Sequence, residues 1–81
     1  MIIVWDEPKR LANIAKHGID FAEIGPDFFL SALVSPAKSG RWSAIGHHNG
    51  VIVVIFAVLG REGLSIVSAR PASAKERRRL P

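Results

Sequence analysis

Residues able to do chemistry concentrate in one basic stretch, residues 70–79. It holds a single anion, Glu76, and five cations, which are Arg70, Lys75, Arg77, Arg78 and Arg79. Five cations less one anion give +4, which equals the formal net charge of all 81 residues. Arginine forks contact phosphate oxygens in pairs, and clustered cations gain affinity for a polyanion by releasing its counterions. The stretch therefore predicts contacts to a nucleic-acid backbone. A solvated charged tail is the alternative.

Two residues of this stretch have more defined interpretations. Arg70 ends an alternating strand pattern, so a sheet would fix the direction of its guanidinium, and we expect it to clamp a phosphate. A salt bridge to one of the seven acidic residues is the alternative. Glu76 is a candidate base, but its place three residues after Ser73 is typical of a capping box, which we favour.

A second candidate group lies on one face of a predicted helix. Lys9, Asn13, Lys16 and His17 fall at i, i+4, i+7 and i+8. Cleavage of RNA by its own 2′-hydroxyl needs a group that exchanges protons near neutral pH, and histidine is the side chain suited to that task. His17 is thus a candidate catalytic residue. The alternative is a helix-terminal histidine that interacts with the last carbonyls and the helix dipole.

Other polar residues carry weaker signals. Arg41, beside Trp42 at the start of a strand, is either a second phosphate contact or an ordinary strand-end cation. His47 and His48 are adjacent, and adjacent strand residues point to opposite faces, so we expect no metal site. The sequence has no nucleophile-elbow, P-loop or dinucleotide-binding glycine pattern, and no cofactor is expected.

The elements that must position these residues begin with a strand over residues 1–5. Asp6 then caps a helix that accepts Pro8 in its first turn and ends at Gly18. Leu11, Ile14 and Ala15 form its predicted buried stripe. Asp20 and Glu23 start a second helix, which Gly25-Pro26 breaks into a kink or two short pieces.

From residue 32 onward the pattern changes to strands. These are a weak segment at 32–35, then 42–47, 51–59 and 64–69, with Asn49-Gly50 as a hairpin turn. Short spacings favour antiparallel pairing, and the wholly apolar segment 51–59 is expected at the centre, covered on both faces. Ser73 and Glu76 cap a terminal helix over 75–80. The fold class is α+β, with a mainly antiparallel sheet of about four strands after the helices.

Length and composition limit the remaining choices. Residues 1–81 are expected to form a single domain. The chain has no cysteine, which excludes disulfides and thiolate zinc sites and agrees with a cytoplasmic location. The longest apolar run, residues 51–59, is far shorter than the roughly 20 residues of a membrane-spanning helix, so no span and no signal peptide are expected.

Two blocks of residues together resemble the BrnT family. The first consists of Trp5, Asp6, Lys9, Asn13, Lys16, His17, Gly18, Ile19 and Phe21. The second consists of Ile66, Val67, Ser68, Ala69, Arg70, Ala72, Glu76 and Arg77. Between them, residues 41–46 nearly fit the family's R-x-x-x-G strand, with one extra residue. The resemblance covers nearly the whole chain.

This resemblance implies a RelE-like fold and the toxin of a type II toxin–antitoxin pair. Such a toxin inhibits translation by cutting RNA without a metal. Its partner is a BrnA-like antitoxin, usually with a ribbon-helix-helix part, so that the hetero-oligomer binds operator DNA. Matched position by position, His17, Arg41, Arg70 and Arg77 would belong to the RNA-cleaving or RNA-binding surface, supported by Lys9 and Lys16.

Two departures leave alternatives open. Leu80 stands where the family often has a tyrosine, and Ser65 stands where an arginine is common. A catalytically inactive toxin homologue, or a small non-enzymatic nucleic-acid-binding module, is therefore the rival hypothesis. A third is that the basic helix serves to dock an acidic partner.

Overall fold

The computed structural model describes residues 1–81 as an α+β fold with three helices and five strands. The strands are β1 (Ile2–Trp5), β2 (Leu33–Pro36), β3 (Trp42–His47), β4 (Val51–Leu59) and β5 (Gly63–Pro71). The helices are α1 (Glu7–His17), α2 (Pro26–Ser31) and α3 (Ala74–Arg77). One-turn 3₁₀ segments occupy Phe21–Glu23 and Lys38–Gly40.

All five strands form one mixed sheet in the order β1-β5-β4-β3-β2. The pairs from β2 to β5 are antiparallel, as the short connections predict. β1 lies beside β5 and is parallel to it, with Trp5 opposite Ile66. The expectation of about four strands is therefore one too few, because helices separate β1 from the later strands and chain spacing could not indicate its partner.

The main core lies between the helices and one face of the sheet. Ile52, Val54 and Phe56 alternate along β4 and pack with phenylalanines from the helical segment. Val53 and its β3 partner Ile45 are buried on the opposite face. β4 is central, as predicted, but its last two residues are largely exposed.

Gly46 in β3 shows why one position of the sheet needs glycine. A Cβ at Gly46 would lie 2.8 Å from Cε2 of Phe28. A side chain there would have to displace a buried aromatic ring, so the missing side chain lets α2 approach β3 closely.

α1 has the predicted ends. The Asp6 carboxylate accepts a hydrogen bond from Lys9 N–H at 3.2 Å, and Gly18 ends the helix at φ 71° with its N–H bonded to the Ile14 carbonyl. The predicted buried stripe is wrong, however. Leu11 is 56 % exposed, whereas Asn13 is 7 % exposed and faces β5.

The two capping-box predictions have different outcomes. Asp20 and Glu23 do not form a capping box, because the Asp20 carboxylate accepts from Ala22 N–H and the Glu23 side chain makes no hydrogen bond. Gly25-Pro26 does separate this segment into two short pieces, the 3₁₀ turn and α2, as predicted. Ser73 and Glu76 do form a capping box, with reciprocal bonds of 2.8 and 3.1 Å. The helix that they start, α3, is a single turn of four residues and ends three residues earlier than expected.

Candidate functional site

Asn13 attaches the end of α1 to the end of β5. Its Nδ2 donates to the carbonyls of Ala69 and Ile19, both at 2.9 Å, and its Oδ1 accepts from Ala69 N–H at 3.1 Å. β1 accompanies β5 only as far as Ile66, so Ala69 has no strand on that side. The Asn13 amide replaces the missing neighbouring peptide and satisfies both backbone groups.

The β3–β4 hairpin reaches the same end of the sheet. Its turn uses Asn49 at φ 50° and Gly50 at φ 110°, as the Asn-Gly signal predicts. His48 N–H donates to the Gly50 carbonyl at 2.8 Å, and Ala72 N–H donates to the Val51 carbonyl at 2.9 Å. These bonds hold the hairpin, and with it His48, beside the last residues of β5.

A cavity of about 400 Å³ lies between these elements. His17 lines it from the end of α1, His48 from the hairpin and Arg77 from α3, and two carboxylates, Asp20 and Glu23, also line it. Two imidazoles and a guanidinium around one cavity are groups that can move protons and stabilise an anion.

The two carboxylates of this cavity differ in their bonding. Asp20 accepts hydrogen bonds from Arg10 at 2.8 and 3.1 Å and from Ala22 N–H at 2.9 Å. The bonds from Arg10, followed by the one from Ala22, lower the pKa of Asp20 below its usual value. Asp20 is thus a structural anion, whereas the side chain of Glu23 is exposed and makes no hydrogen bond or ion pair.

A second, shallower groove of about 260 Å³ runs between α1 and β5. It is lined by Lys9, Lys16 and His17 on the helix and by Val67 and Ser68 on the strand. His17 therefore lies where the groove and the cavity meet. The structure brings together the helix residues that the sequence grouped, although the buried Asn13 beside them is a structural amide.

Arg70 lies apart from the cavity. Ala69 belongs to the core under the helices, so Arg70, the next residue, points to the opposite face of the sheet. Its guanidinium makes two bonds to the Glu76 carboxylate, Nη1 to Oε1 at 2.7 Å and Nη2 to Oε2 at 2.8 Å. These bonds raise the pKa of Arg70 and lower that of Glu76 from 4.5 to about 2. The salt bridge considered as the alternative is present.

The other predicted cations are more dispersed. Arg41 precedes β3, at the end of that strand away from His47, which is roughly 20 Å along an extended strand of six residues. It is exposed and does not line the cavity. Lys75, Arg78 and Arg79 are exposed on α3 and just after it, on either side of Arg77.

Sequence reasoning missed His48 and misjudged Asn13. From the sequence, His48 stands out only as half of a possible metal pair with His47. In the structure, no three His, Cys, Asp or Glu side chains are grouped so as to hold a metal ion. The Asn-Gly turn does place His48 at a hairpin end. No sequence signal shows that α1 ends beside that hairpin.

Comparison with known proteins gives two findings and one negative result. The family model described as the ribonuclease toxin BrnT of type II toxin–antitoxin systems matches residues 5–76. The crystal structure of the Brucella abortus ribonuclease toxin BrnT is 56 % identical in sequence, with a TM-score of 0.85, and the match covers 90 % of this chain and 97 % of that chain. No curated protein matches.

No helix of this protein is long and apolar enough to cross a membrane.

Proposed function

This chain belongs to the BrnT family of ribonuclease toxins of type II toxin–antitoxin systems, and from this premise we propose that it is a metal-independent endoribonuclease that inhibits translation. The observation that carries the proposal is the cavity shared by His17 and Arg77, which continues into the groove of Lys9 and Lys16. Proton-transfer groups, a cation beside them and a cationic approach for the strand are what RNA cleavage without a metal requires.

The proposed reaction uses the substrate's own 2′-hydroxyl. His17 accepts the hydroxyl proton, the 2′-oxygen attacks phosphorus, and Arg77 stabilises the charge that develops on the phosphoryl oxygens. Electrostatic stabilisation of this kind is commonly the largest single contribution to catalysis. Arg77 is well placed for it because it lines the same cavity as His17.

We assign Arg70 a positioning role. A direct phosphate contact would have to replace the two bonds to Glu76, and Glu76 also caps α3 through Ser73 N–H. Through that ion pair Arg70 fixes the one-turn helix that carries Arg77. Arg41, at the far end of β3, is proposed to contact RNA outside the cleavage cavity.

The remaining cations supply an approach for RNA. Lys9 and Lys16 line the groove that opens at His17, and Lys75, Arg78 and Arg79 surround Arg77 on the exposed side of α3. Contacts from such residues to the phosphate backbone carry affinity without sequence preference.

Membership of this family implies an antitoxin partner. We propose that it is a BrnA-like protein, encoded beside the toxin, and that the cytoplasmic hetero-oligomer binds operator DNA through the antitoxin. We also propose that residues 1–81 form one domain of the RelE-like class. The single cluster of buried side chains between helices and sheet supports this.

The rival proposal is a catalytically inactive toxin, and Leu80 in place of the family's frequent tyrosine is the feature that favours it. Ser65 counts less, because it pairs with Val4 and Ala57 toward the other end of the sheet and does not line the cavity. Growth arrest on expression, relieved by the neighbouring gene, supports the toxin. Antitoxin binding without growth arrest supports the inactive homologue.

The direct test is incubation of the purified protein with RNA in excess chelator. We expect cleavage to continue, and Arg77→Ala to slow it by about 100- to 1000-fold, the range for losing one group that stabilises transition-state charge. Arg70→Ala should also slow cleavage, because α3 loses its anchor. Intact RNA, or cleavage only after a divalent metal is added, contradicts the proposal.

A further inference from the structure

We propose that His48 is a second catalytic residue of this site, the proton donor to the leaving oxygen when His17 acts as the base. The inference deepens the proposed ribonuclease function and rests on it. Its basis is that His17 and His48 line one cavity together with Arg77, although they are 31 positions apart in the chain.

The reaction needs two proton transfers. His17 takes the 2′-hydroxyl proton, the 2′-oxygen forms a bond to phosphorus, and the bond between phosphorus and the 5′-oxygen of the next nucleotide breaks. The electron pair of that bond stays on the 5′-oxygen, which takes a proton from His48. The products are a 2′,3′-cyclic phosphate and a 5′-hydroxyl, and the two histidines have exchanged protonation states. No oxidant, metal or water is consumed.

Hydrogen bonds fix the two histidines relative to the same strand end. Asn13 bonds to Ala69 N–H and carbonyl, which sets the end of α1 and therefore His17 against β5. The bond from Ala72 N–H to the Val51 carbonyl sets the hairpin that carries His48 against the residue following β5. The backbone positions of both histidines are thus set by short bonds to residues 69–72.

The surroundings of the two histidines differ in charge. Both line the first cavity with Asp20, Glu23 and Arg77, and they differ in the second one that each lines. His17 shares a groove with Lys9 and Lys16, whereas His48 shares a cavity of about 430 Å³ with Glu23 and Asp27. The lysines beside His17 can hold the phosphates of the incoming strand, and the carboxylates beside His48 can accept a hydrogen bond from its ring and so orient a proton donor. This difference assigns His17 as the base and His48 as the donor.

Glu23 supports the same assignment. It lines both cavities that His48 lines, and its carboxylate makes no hydrogen bond or ion pair. It is available to accept a hydrogen bond from the ring nitrogen of His48 that does not face the substrate, which is how a carboxylate orients a catalytic imidazole. Asp20 is not available, because Arg10 occupies it. The other charged or titratable groups around His48 are His17, Arg77, Asp27 and the adjacent His47.

The test compares two substrates. One is an ordinary RNA oligonucleotide, and the other carries sulfur in place of the bridging 5′-oxygen at the cleaved linkage. A thiolate leaves without protonation, so it does not need an acid. We expect His48→Ala and His48→Gln to slow cleavage of the ordinary RNA by about 100- to 10,000-fold, the range for one acid–base group. On the sulfur substrate the loss of rate in these two variants should be at least tenfold smaller than on the ordinary RNA.

His47→Ala is the matched control, because His47 is the neighbouring, exposed histidine and does not line the cavity shared with His17. It should cleave both substrates at the wild-type rate. The pH profile of wild-type cleavage should be bell-shaped, and both His48 variants should lose the limb on the alkaline side, where the donor deprotonates. Thermal unfolding of each variant shows that the fold is kept.

Three outcomes are distinct. His48 variants that cleave ordinary RNA at the wild-type rate overturn the inference and leave the proposed function standing. An equal loss on both substrates also overturns it, because His48 would then not be the donor. If the wild-type protein cleaves neither substrate, the proposed function itself fails.

Discussion

At the scale of single residues, Glu76 combines the capping role predicted from the sequence with an ion pair to Arg70. Its carboxylate accepts two bonds from Arg70 and one from Ser73 N–H, while its own N–H donates to Ser73 Oγ. The capping box was predictable because its partners are three residues apart in sequence. The ion pair was one of several open alternatives, since no local pattern shows which acid Arg70 meets.

This bonding predicts how stability depends on pH. The bonds from Arg70 and from Ser73 lower the pKa of Glu76 from 4.5 to about 2. Because the folded-state pKa is depressed, the contribution of Glu76 is fully present above its unfolded value of 4.5 and is lost as the pH falls through 2. We expect the free energy of unfolding of Glu76→Gln to fall less between pH 6 and pH 2 than that of the wild type. Urea titrations across that range measure the difference.

The control is Asp20→Asn. The pKa of Asp20 is also lowered, by Arg10, so wild type and both variants all lose stability in acid. The prediction concerns only the loss of stability in acid that depends on Glu76. That loss should be absent in Glu76→Gln, where Asp20 is intact, and present in Asp20→Asn, where Glu76 is intact. An identical fall in the wild type and in Glu76→Gln would show that the ion pair with Arg70 contributes nothing in solution.

At the scale of elements, α1 separates what the sequence predicts from what it does not. Its ends follow from local chemistry, the Asp6 cap and the left-handed Gly18, and both were predicted. Its buried face was predicted from apolar spacing and was wrong. Asn13 reads as polar, but the unpaired backbone of β5 beyond Ile66 makes an amide the better buried side chain there. That requirement exists only once β1 and β5 are paired, and the partner of β1 was itself unpredictable.

The docking of α1 on β5 can be tested with Asn13→Ala. The substitution leaves Ala69 N–H and carbonyl buried without partners, which costs about 1–3 kcal/mol for each unsatisfied group. For the two groups together we expect the free energy of unfolding to fall by about 2–6 kcal/mol. RNA cleavage should weaken as well, because the end of α1 that carries His17 is no longer bonded to β5. Chemical denaturation and a cleavage assay measure the two effects.

Leu11→Ala is the matched control for this helix. Leu11 is 56 % exposed, so its truncation should change stability by less than about 1 kcal/mol. A larger loss for Leu11→Ala than for Asn13→Ala would restore the apolar stripe as the buried face. Equal, small losses would mean that the Asn13 amide is not the main attachment of α1.

At the scale of the whole molecule, the candidate site is made of segments distant in sequence. The end of α1, the 3₁₀ turn, the β3–β4 hairpin and α3 all border one cavity. The sequence identified His17 and Arg77 as residue types suited to phosphate chemistry, and the structure places them around that cavity. The sequence could not indicate that Arg41 lies at the far end of β3 or that His48 lines the same cavity as His17, because strand order and helix placement decide both.

The distribution of charge over the molecule predicts how RNA binding responds to salt. Each phosphate contact on a single strand steepens the fall of log affinity with log salt concentration by about 0.7. The double variant Lys9→Ala/Lys16→Ala, in a His17→Ala background that prevents cleavage, should therefore reduce the slope by about 1.4.

The control is Arg61→Ala in the same His17→Ala background. It removes an exposed cation from the β4–β5 turn at the other end of the sheet, and its slope should equal that of His17→Ala alone. Fluorescence anisotropy of a labelled RNA between 50 and 300 mM salt, roughly the range over which such contacts weaken strongly, measures both slopes. If Arg61→Ala flattens the slope by about 0.7, the value for one phosphate contact, the molecule attracts RNA through its overall charge, and the groove along α1 is not the path of the strand.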